Sequence, residues 1–218
     1  MAERGRPRKG AARLSPESIR AAALAVTDAE GVAAISMRAV ARRLGVDAKS
    51  LYNHVDGKDG LLDAVAEHVL AGIVLPDPTG SLEDDLHAVA HAFRRAALAH
   101  PQAATLVLTR QLPSPAALAP VGAVLSVLCA AGASPEEAVH LLRALLALVV
   151  GTLLRETGAG PAFGAGDTDA VAHRQAELEQ SGLSATAPFL ARCDHEAEFA
   201  FTVDFAVAAV AARLRRDR

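Results

Sequence analysis

The sequence predicts an all-α protein of about ten helices, a three-helix amino-terminal head followed by a larger helical body. Three observations carry that prediction. The chain has 218 residues, 51% hydrophobic but only 3% aromatic and without Trp, so Ala, Leu and Val must fill its core. Ala and Leu are strong helix formers, and the alternating β-branched and aromatic runs typical of strands are nearly absent. Apolar residues recur at helical spacing between Ser or Pro starts and Gly or Pro stops.

Residues 1–14 are basic, polar and interrupted by Gly and Pro, which predicts a disordered arm. Its Arg4 and Arg6 suit the negative potential of a DNA minor groove; a solvated tail that adds only non-specific affinity is the open alternative. Ser15 and Pro16 begin the first helix, with Ile19, Ala22, Ala23, Val26 and Ala29 on its inner face and Gly31 as its stop.

Residues 36–55, SMRAVARRLGVDAKSLYNHV, read as two short helices joined by a tight turn. Ser36 caps the first, and Met37, Val40, Ala41 and Leu44 share its buried face. Gly45 falls at the turn, where a positive φ is often required. Val46 plugs the turn, Asp47 caps the second helix, and Leu51 and Val55 face inward. Ala48, Lys49, Ser50, Tyr52, Asn53 and His54 are left near or on the outer face, the small, polar and basic groups that meet phosphates and base edges in a major groove. An ordinary helical hairpin with a solvated face is the bland alternative.

A fourth helix starts near Lys58 and runs through Leu61, Leu62, Val65, Val69 and Ile73 to Pro76 and Pro78. Ser81 with Asp84 resembles a capping box for a helix reaching His100, with Leu86, Val89, Ala90, Phe93, Ala97 and Leu98 inward. A short helix follows over roughly 102–110. Pro113, Pro115 and Pro120 make an irregular entry to a seventh, ending near Gly132. Ser134, Pro135 and Glu137 start an eighth that runs to about Thr157 and is apolar on nearly every side. Residues 158–168 are Gly-rich, 169–181 suit a polar ninth helix, and a tenth spans roughly 195–216 with Phe199, Phe201, Val203, Phe205, Val207, Val210 and Leu214. Helices apolar all round need two neighbours, so the eighth and tenth predict a homodimer through a four-helix bundle; a single large core is the alternative.

Charge is divided along the chain. Residues 1–60 hold eleven Lys and Arg against seven Asp and Glu, and residues 61–218 hold eleven against eighteen. A basic amino-terminal module on an acidic body suits a polyanion reader joined to something else. Cys129 and Cys193 show no metal spacing or disulfide framework, and buried free thiols in a reducing cytoplasm are expected. The longest apolar segment, Leu141 to Leu154, carries Arg143 and is shorter than the roughly 20 residues of a membrane span. With no apolar run behind the basic start there is no sign of a signal peptide. The expected location is therefore cytoplasmic, with no membrane partner.

The order of these elements resembles the TetR family of transcriptional repressors. The resemblance rests on MRAVARRLGV, then KSLYNHVDGKDGLL, with the Leu51–Tyr52 pair, His54, Lys58 and the Leu61–Leu62 pair in the family's places. Weaker similarity to the tetracycline repressor class continues through LLDAVAEHVL, FRRAALAH and LCAAGAS. It implies a division into an arm (1–14), a helix-turn-helix DNA-binding domain (15–60) and a ligand-binding and dimerisation domain (61–218). It also implies a homodimer on a palindromic duplex operator, released by a small-molecule effector. Ser36, Arg38, Lys49, Ser50, Tyr52, His54 and Lys58 occupy the family's DNA-contacting positions: Arg38 and Lys49 are the base-reading candidates, and Ser36, Ser50, Tyr52 and Lys58 hold phosphates. Ala48 can touch a thymine methyl.

The body departs from the tetracycline class. Its inducer-binding Asn and Gln positions are Val89 and Val124 here, its metal-binding His position is Val107, and its acidic position is Arg155. A magnesium–tetracycline complex is therefore not expected, nor any other cofactor or metal. The implied pocket, from Leu70, Val74, Leu86, Val89, Phe93, Val107, Val121, Val124, Leu128, Val139 and Leu142, is mostly apolar, with His140 or Arg155 as its polar groups; ordinary core is the plainer reading of each. One rival is a helical metal-binding sensor or enzyme using His87 and His91, four residues apart near Asp84 and Asp85 but without the Glu of HExxH. A nucleophilic enzyme lacks GxSxG and P-loop strings, and a dimerisation protein that ignores DNA leaves the basic head unexplained.

Overall fold

The computed structural model describes residues 14–110, 114–158 and 168–216; Arg4, Arg6 and the rest of the basic arm lie outside them, as does most of the Gly-rich stretch. The described residues form eleven α-helices and one 3-10 turn, with no strand. They are α1 (Pro16–Glu30), α2 (Met37–Leu44), α3 (Ala48–Leu51), α4 (Gly57–Ala71), α5 (Leu82–Ala99), α6 (Ala104–Thr109), α7 (Pro115–Ala130), α8 (Pro135–Glu156), α9 (Thr168–Gln180), α10 (Ala187–Leu190) and α11 (His195–Arg216). The added helix is α10, a single turn too short to show periodicity.

The described residues divide into two compact units, those up to 73 with those between 99 and 117, and those of 74–98 with those from 118 onward. In the first, α1 packs against α2 and α4, and α4 packs against α6. Ile19, Ala22, Ala23, Val26, Val40, Leu51, Leu61 and Val65 are buried there. Ala29, expected inward, is exposed with Asp28 and Glu30 in the last turn of α1, where the neighbour is the polar His100, 2.9 Å from Asp28, and not an apolar face. The start of α1 is a full capping box: Ser15 Oγ accepts from Ser18 N–H (3.1 Å), and Ser18 Oγ accepts from Ser15 N–H (2.9 Å).

In the second unit α8 and α11 pack together. Val149, Leu153, Phe199, Val203, Val207, Val210 and Leu214 are buried, while Leu146, Leu148, Phe201 and Phe205 remain exposed. Two capping expectations are half met. Ser134 accepts from Glu137 N–H (3.2 Å), but the Glu137 carboxylate accepts from Arg213 Nε (2.9 Å) on α11 and does not fold back onto its own cap. Likewise Ser81 accepts from Asp84 N–H (3.2 Å), while Ser81 N–H goes to Thr79 Oγ1 (3.1 Å). The neighbouring Asp85 is the buried acid. It accepts from Thr79 N–H and Oγ1 (2.7 and 2.8 Å) and Gly80 N–H (3.1 Å), and these bonds, the Thr79 amide first, hold its carboxyl below the usual range.

Pro120 sits inside α7 and does not break its start. Cys129 is exposed and Cys193 half-buried, against the expectation of buried thiols. Of α7 only Leu128 is fully buried, so Cys129 falls on an open side.

Candidate nucleic-acid interface

The segment 36–55 is built by four local devices. Ser36 Oγ accepts from Ala39 N–H (3.1 Å), starting α2. Gly45 adopts φ 69°, ψ 29°, the left-handed conformation, and ends it. The Gly45 N–H turns back to Arg42 O (3.3 Å) and the Val46 N–H to Ala41 O (3.1 Å), which satisfies carbonyls left open at the helix end. Asp47 Oδ1 then accepts from Lys49 N–H (2.7 Å) and starts α3. Met37, Val40, Ala41 and Leu51 are buried beneath, whereas Leu44, Val46 and Val55 are half-buried.

A Cβ at residue 45 would meet nothing within 4 Å, so only backbone strain opposes a side chain there. Gly45→Ala is accordingly expected to destabilise the fold by about 1–2 kcal/mol. Urea denaturation checks this, and a variant as stable as the parent would show that the turn does not need glycine.

The outer face is open. Ser36, Arg38, Lys49, Tyr52, Asn53, His54 and Lys58 are exposed, with Tyr52 at 61%, and Ala48 and Ser50 are half-exposed. An exposed tyrosine has no packing reason to be there, and its hydroxyl is free to donate to a phosphate. Asp56 precedes α4 without a side-chain cap, so Lys58 lies in the open first turn of that helix.

The proposed effector residues fall in both units. In the second, Leu86, Val89, Leu128 and Leu142 are buried, Phe93, Val121, Val124, Val139 and Arg155 are half-buried, and Val74 and His140 are exposed. Leu70 and Val107 are buried in the first. Val74 is 82% exposed: α4 ends at Ala71, and the residue lies beyond it outside any helix. His140 lies on a surface groove with Ser134, Glu136, Glu137, Leu141 and Arg213.

His87 and His91 are engaged elsewhere. His87 Nε2 is 3.3 Å from Asp204, and the His91 ring packs edge-on against Phe199, 5.3 Å between centroids. Burial, followed by the charges of His87, Arg94 and Arg95, pushes the His91 pKa down. Among the described residues no group of three or more His, Cys, Asp or Glu is placed to hold a metal ion.

Two ion-pair clusters were not foreseen. Arg94 on α5 donates Nε and Nη2 to Glu156 at the end of α8 (3.0 and 2.6 Å), lies over the Phe199 ring (5.1 Å) and reaches Glu196 (3.5 Å). Arg110, past α6, donates to Asp63 (2.8 Å) and Asp59 (3.1 Å) on α4. An Arg beside otherwise apolar helices is the only hint the sequence holds of either.

Comparison with known proteins agrees with this geometry. Residues 19–65 match the family described as bacterial regulatory proteins, tetR family, and residues 75–214 match the tetracyclin repressor-like C-terminal domain. The chain is 38% identical over 145 residues to an HTH-type transcriptional regulator of Saccharopolyspora erythraea, covering 66% of this chain and 61% of that protein's length. It is 34% identical over 175 residues to the class A tetracycline repressor of Escherichia coli from transposon 1721, covering 79% and 77%. The crystal structure of Streptomyces coelicolor ActR in complex with actinorhodin superposes with a TM-score of 0.82 at 25% identity, covering 93% of this chain and 99% of that one. With both halves matched, the capped and glycine-turned segment at 36–55 is the helix-turn-helix of a DNA-binding regulator, and the chain belongs to the TetR family of bacterial transcriptional regulators.

Proposed function

We propose that this protein is a ligand-responsive repressor that binds a palindromic operator as a homodimer and is released by a small, hydrophobic effector. The observation that carries the reading is the outer face of residues 36–58. A glycine-turned, twice-capped scaffold holds seven polar or basic side chains open to solvent, leaves Ala48 and Ser50 half-exposed, and buries Met37, Val40, Ala41 and Leu51 beneath. Arg38 and Lys49 read bases; Ser36, Ser50, Tyr52 and Lys58 grip phosphates, with Asn53 and His54 beside them. Arg4 and Arg6 belong to an arm that follows the adjacent minor groove.

Two half-sites demand two heads at a groove spacing of ~34–36 Å or a multiple of it. The exposed apolar surface of α8 and α11 supports pairing of two copies as the means. Length and composition alone would let α8 cross a membrane. Its reading as a dimer helix rests instead on its partnership with α11 and on Arg143, and the protein then works in the cytoplasm where its DNA is.

For the effector, the inner residues of α5, α7 and α8 are apolar where the tetracycline class has polar ones, which favours a hydrophobic molecule over a magnesium chelate. ActR is known in complex with actinorhodin, and several sequence relatives are tetracycline repressors; a small organic effector is carried over from them, and neither compound in particular. Binding would displace α6 and, through its packing on α4, the recognition helices. That coupling can be no larger than the effector's preference for the non-binding form.

The test is a gel shift with duplex DNA, either from beside the gene or selected from a random library. Lys49→Ala is expected to cost about 1–3 kcal/mol and to relax discrimination at one base position. Lys58→Ala is expected to weaken all sequences alike and to reduce the salt slope by about one. Full binding by both variants would refute the assignment of this face. An effector that binds tightly without changing operator affinity would refute the switch.

A further inference from the structure

Arg110 is the residue that this reading leaves without a task. It caps the carboxy-terminal end of α6, and its guanidinium reaches two carboxylates on successive turns of α4: Nη1 to Asp63 Oδ1 at 2.8 Å and Nη2 to Asp59 Oδ1 at 3.1 Å. Asp59 and Asp63 are four residues apart on one helical face, where like charges repel. One planar fork serves both, a geometry that lysine, a single point charge, cannot reproduce. The Arg110 side chain is 22% exposed, Asp63 half exposed and Asp59 at 87%. Pairs this open to water add little to stability, so holding the fold together does not account for the arrangement.

Its location does. Asp59 follows Lys58 directly in the first turn of α4, beside the residues assigned to phosphate. If Lys58 holds a phosphate, an uncompensated carboxylate on the next residue stands within a Debye length of it and opposes that attraction. We infer that Arg110 is a positioning residue for DNA binding, acting through Asp59 and Asp63: it masks both carboxylates from the incoming phosphates and ties the end of α6 to the turn of α4 that carries Lys58. This rests on the regulator reading above. It makes α6 an electrostatic partner of the DNA-facing surface: any movement that withdraws Arg110 bares two negative charges there.

A double-mutant cycle tests it, using the full-length protein and a duplex selected by the wild type from a random library. Arg110→Gln is expected to weaken binding about fivefold at low salt, as the loss of one positive charge beside two carboxylates near the phosphates would. Asp59→Asn with Asp63→Asn should then recover about that factor in the Arg110→Gln background and under about twofold with Arg110 intact. Because the effect is electrostatic, the cost should shrink with added salt; loss of a direct phosphate contact follows the same trend, so it is the dependence on Asp59 and Asp63 in the cycle that separates the two. Equal gains in the two backgrounds, or an Arg110→Gln protein that binds like the wild type, would overturn the inference. If Arg110→Gln fails to melt cooperatively, Arg110→Met, which keeps the apolar stem and removes the charge, replaces it in the same cycle, with the same outcomes. A wild type that selects no duplex at all defeats the regulator reading itself, a failure distinct from a negative cycle on a duplex that binds.

Discussion

Changing Phe201 and Phe205 to glutamate is expected to convert a dimer into a monomer and to abolish tight operator binding. Both rings stand on the open side of α11, 69% and 61% exposed, stacked 6.5 Å apart with an 11° angle between planes. On α8, Leu146 and Leu148 are also exposed, and Gly151 has open space where a side chain would stand. A symmetric interface uses the same patch twice, so four phenylalanines would be covered per dimer. At ~1.5–3 kcal/mol for burying each such side chain, they contribute roughly 6–12 kcal/mol before the cost of association. Glutamate at both positions removes that gain and places carboxylates in an apolar seam. Light scattering after gel filtration should report a monomer at micromolar concentration. Operator affinity should fall by at least about 100-fold, because each half-site must then be found separately. A variant that stays dimeric and binds DNA like the wild type would show that the two subunits meet on another surface.

The second large effect concerns Phe199. Its ring is fully buried on the opposite side of α11, with the His91 edge against it and the Arg94 guanidinium over it. The Arg94–Glu156 pair beside it is also largely shielded, with side-chain exposures of 13% and 9%, and the Glu156 hydrogen bonds, opposed by burial, raise the arginine's pKa further. Phe199→Ala therefore empties a ring-sized volume and removes the surface on which a partly desolvated ion pair rests. The expected cost is about 3–5 kcal/mol, with Phe199→Leu near the lower end or below it. Urea denaturation at one fixed protein concentration measures this, since pairing of two copies would make the midpoint depend on concentration. A loss below about 1 kcal/mol would mean that α5, α8 and α11 are held together by something other than this cluster.

The two phenylalanine groups mark where sequence reading reaches its end. Phe199, Phe201, Val203 and Phe205 were all visible as apolar residues of one helix, and periodicity alone made them equivalent. Packing against α8 separates them into a buried set and an exposed pair. The same holds for Ala29, Val74, His140 and Cys129, each placed by its element's composition and exposed because no neighbour covers it. Glu137 shows the mechanism: its carboxylate had a local role available at the start of α8, and a long-range partner, Arg213, took it.

What the amino-acid order determined by itself was local: helix starts at Ser15, Ser36, Asp47 and Ser134, the left-handed turn at Gly45, and with them the outer face of residues 36–58. Each depends on hydrogen bonds or contacts spanning a few residues, so the short string itself favours them wherever packing allows a helix to form. Only tertiary structure decided that Arg110 serves residues 47 and 51 positions away and that Arg94 meets Glu156 across 62. It also decided which sides of α8 and α11 stay open. Those outcomes follow from how helices pack, and an isolated helix carries no record of the neighbour that will cover it or of the charge that will stand opposite.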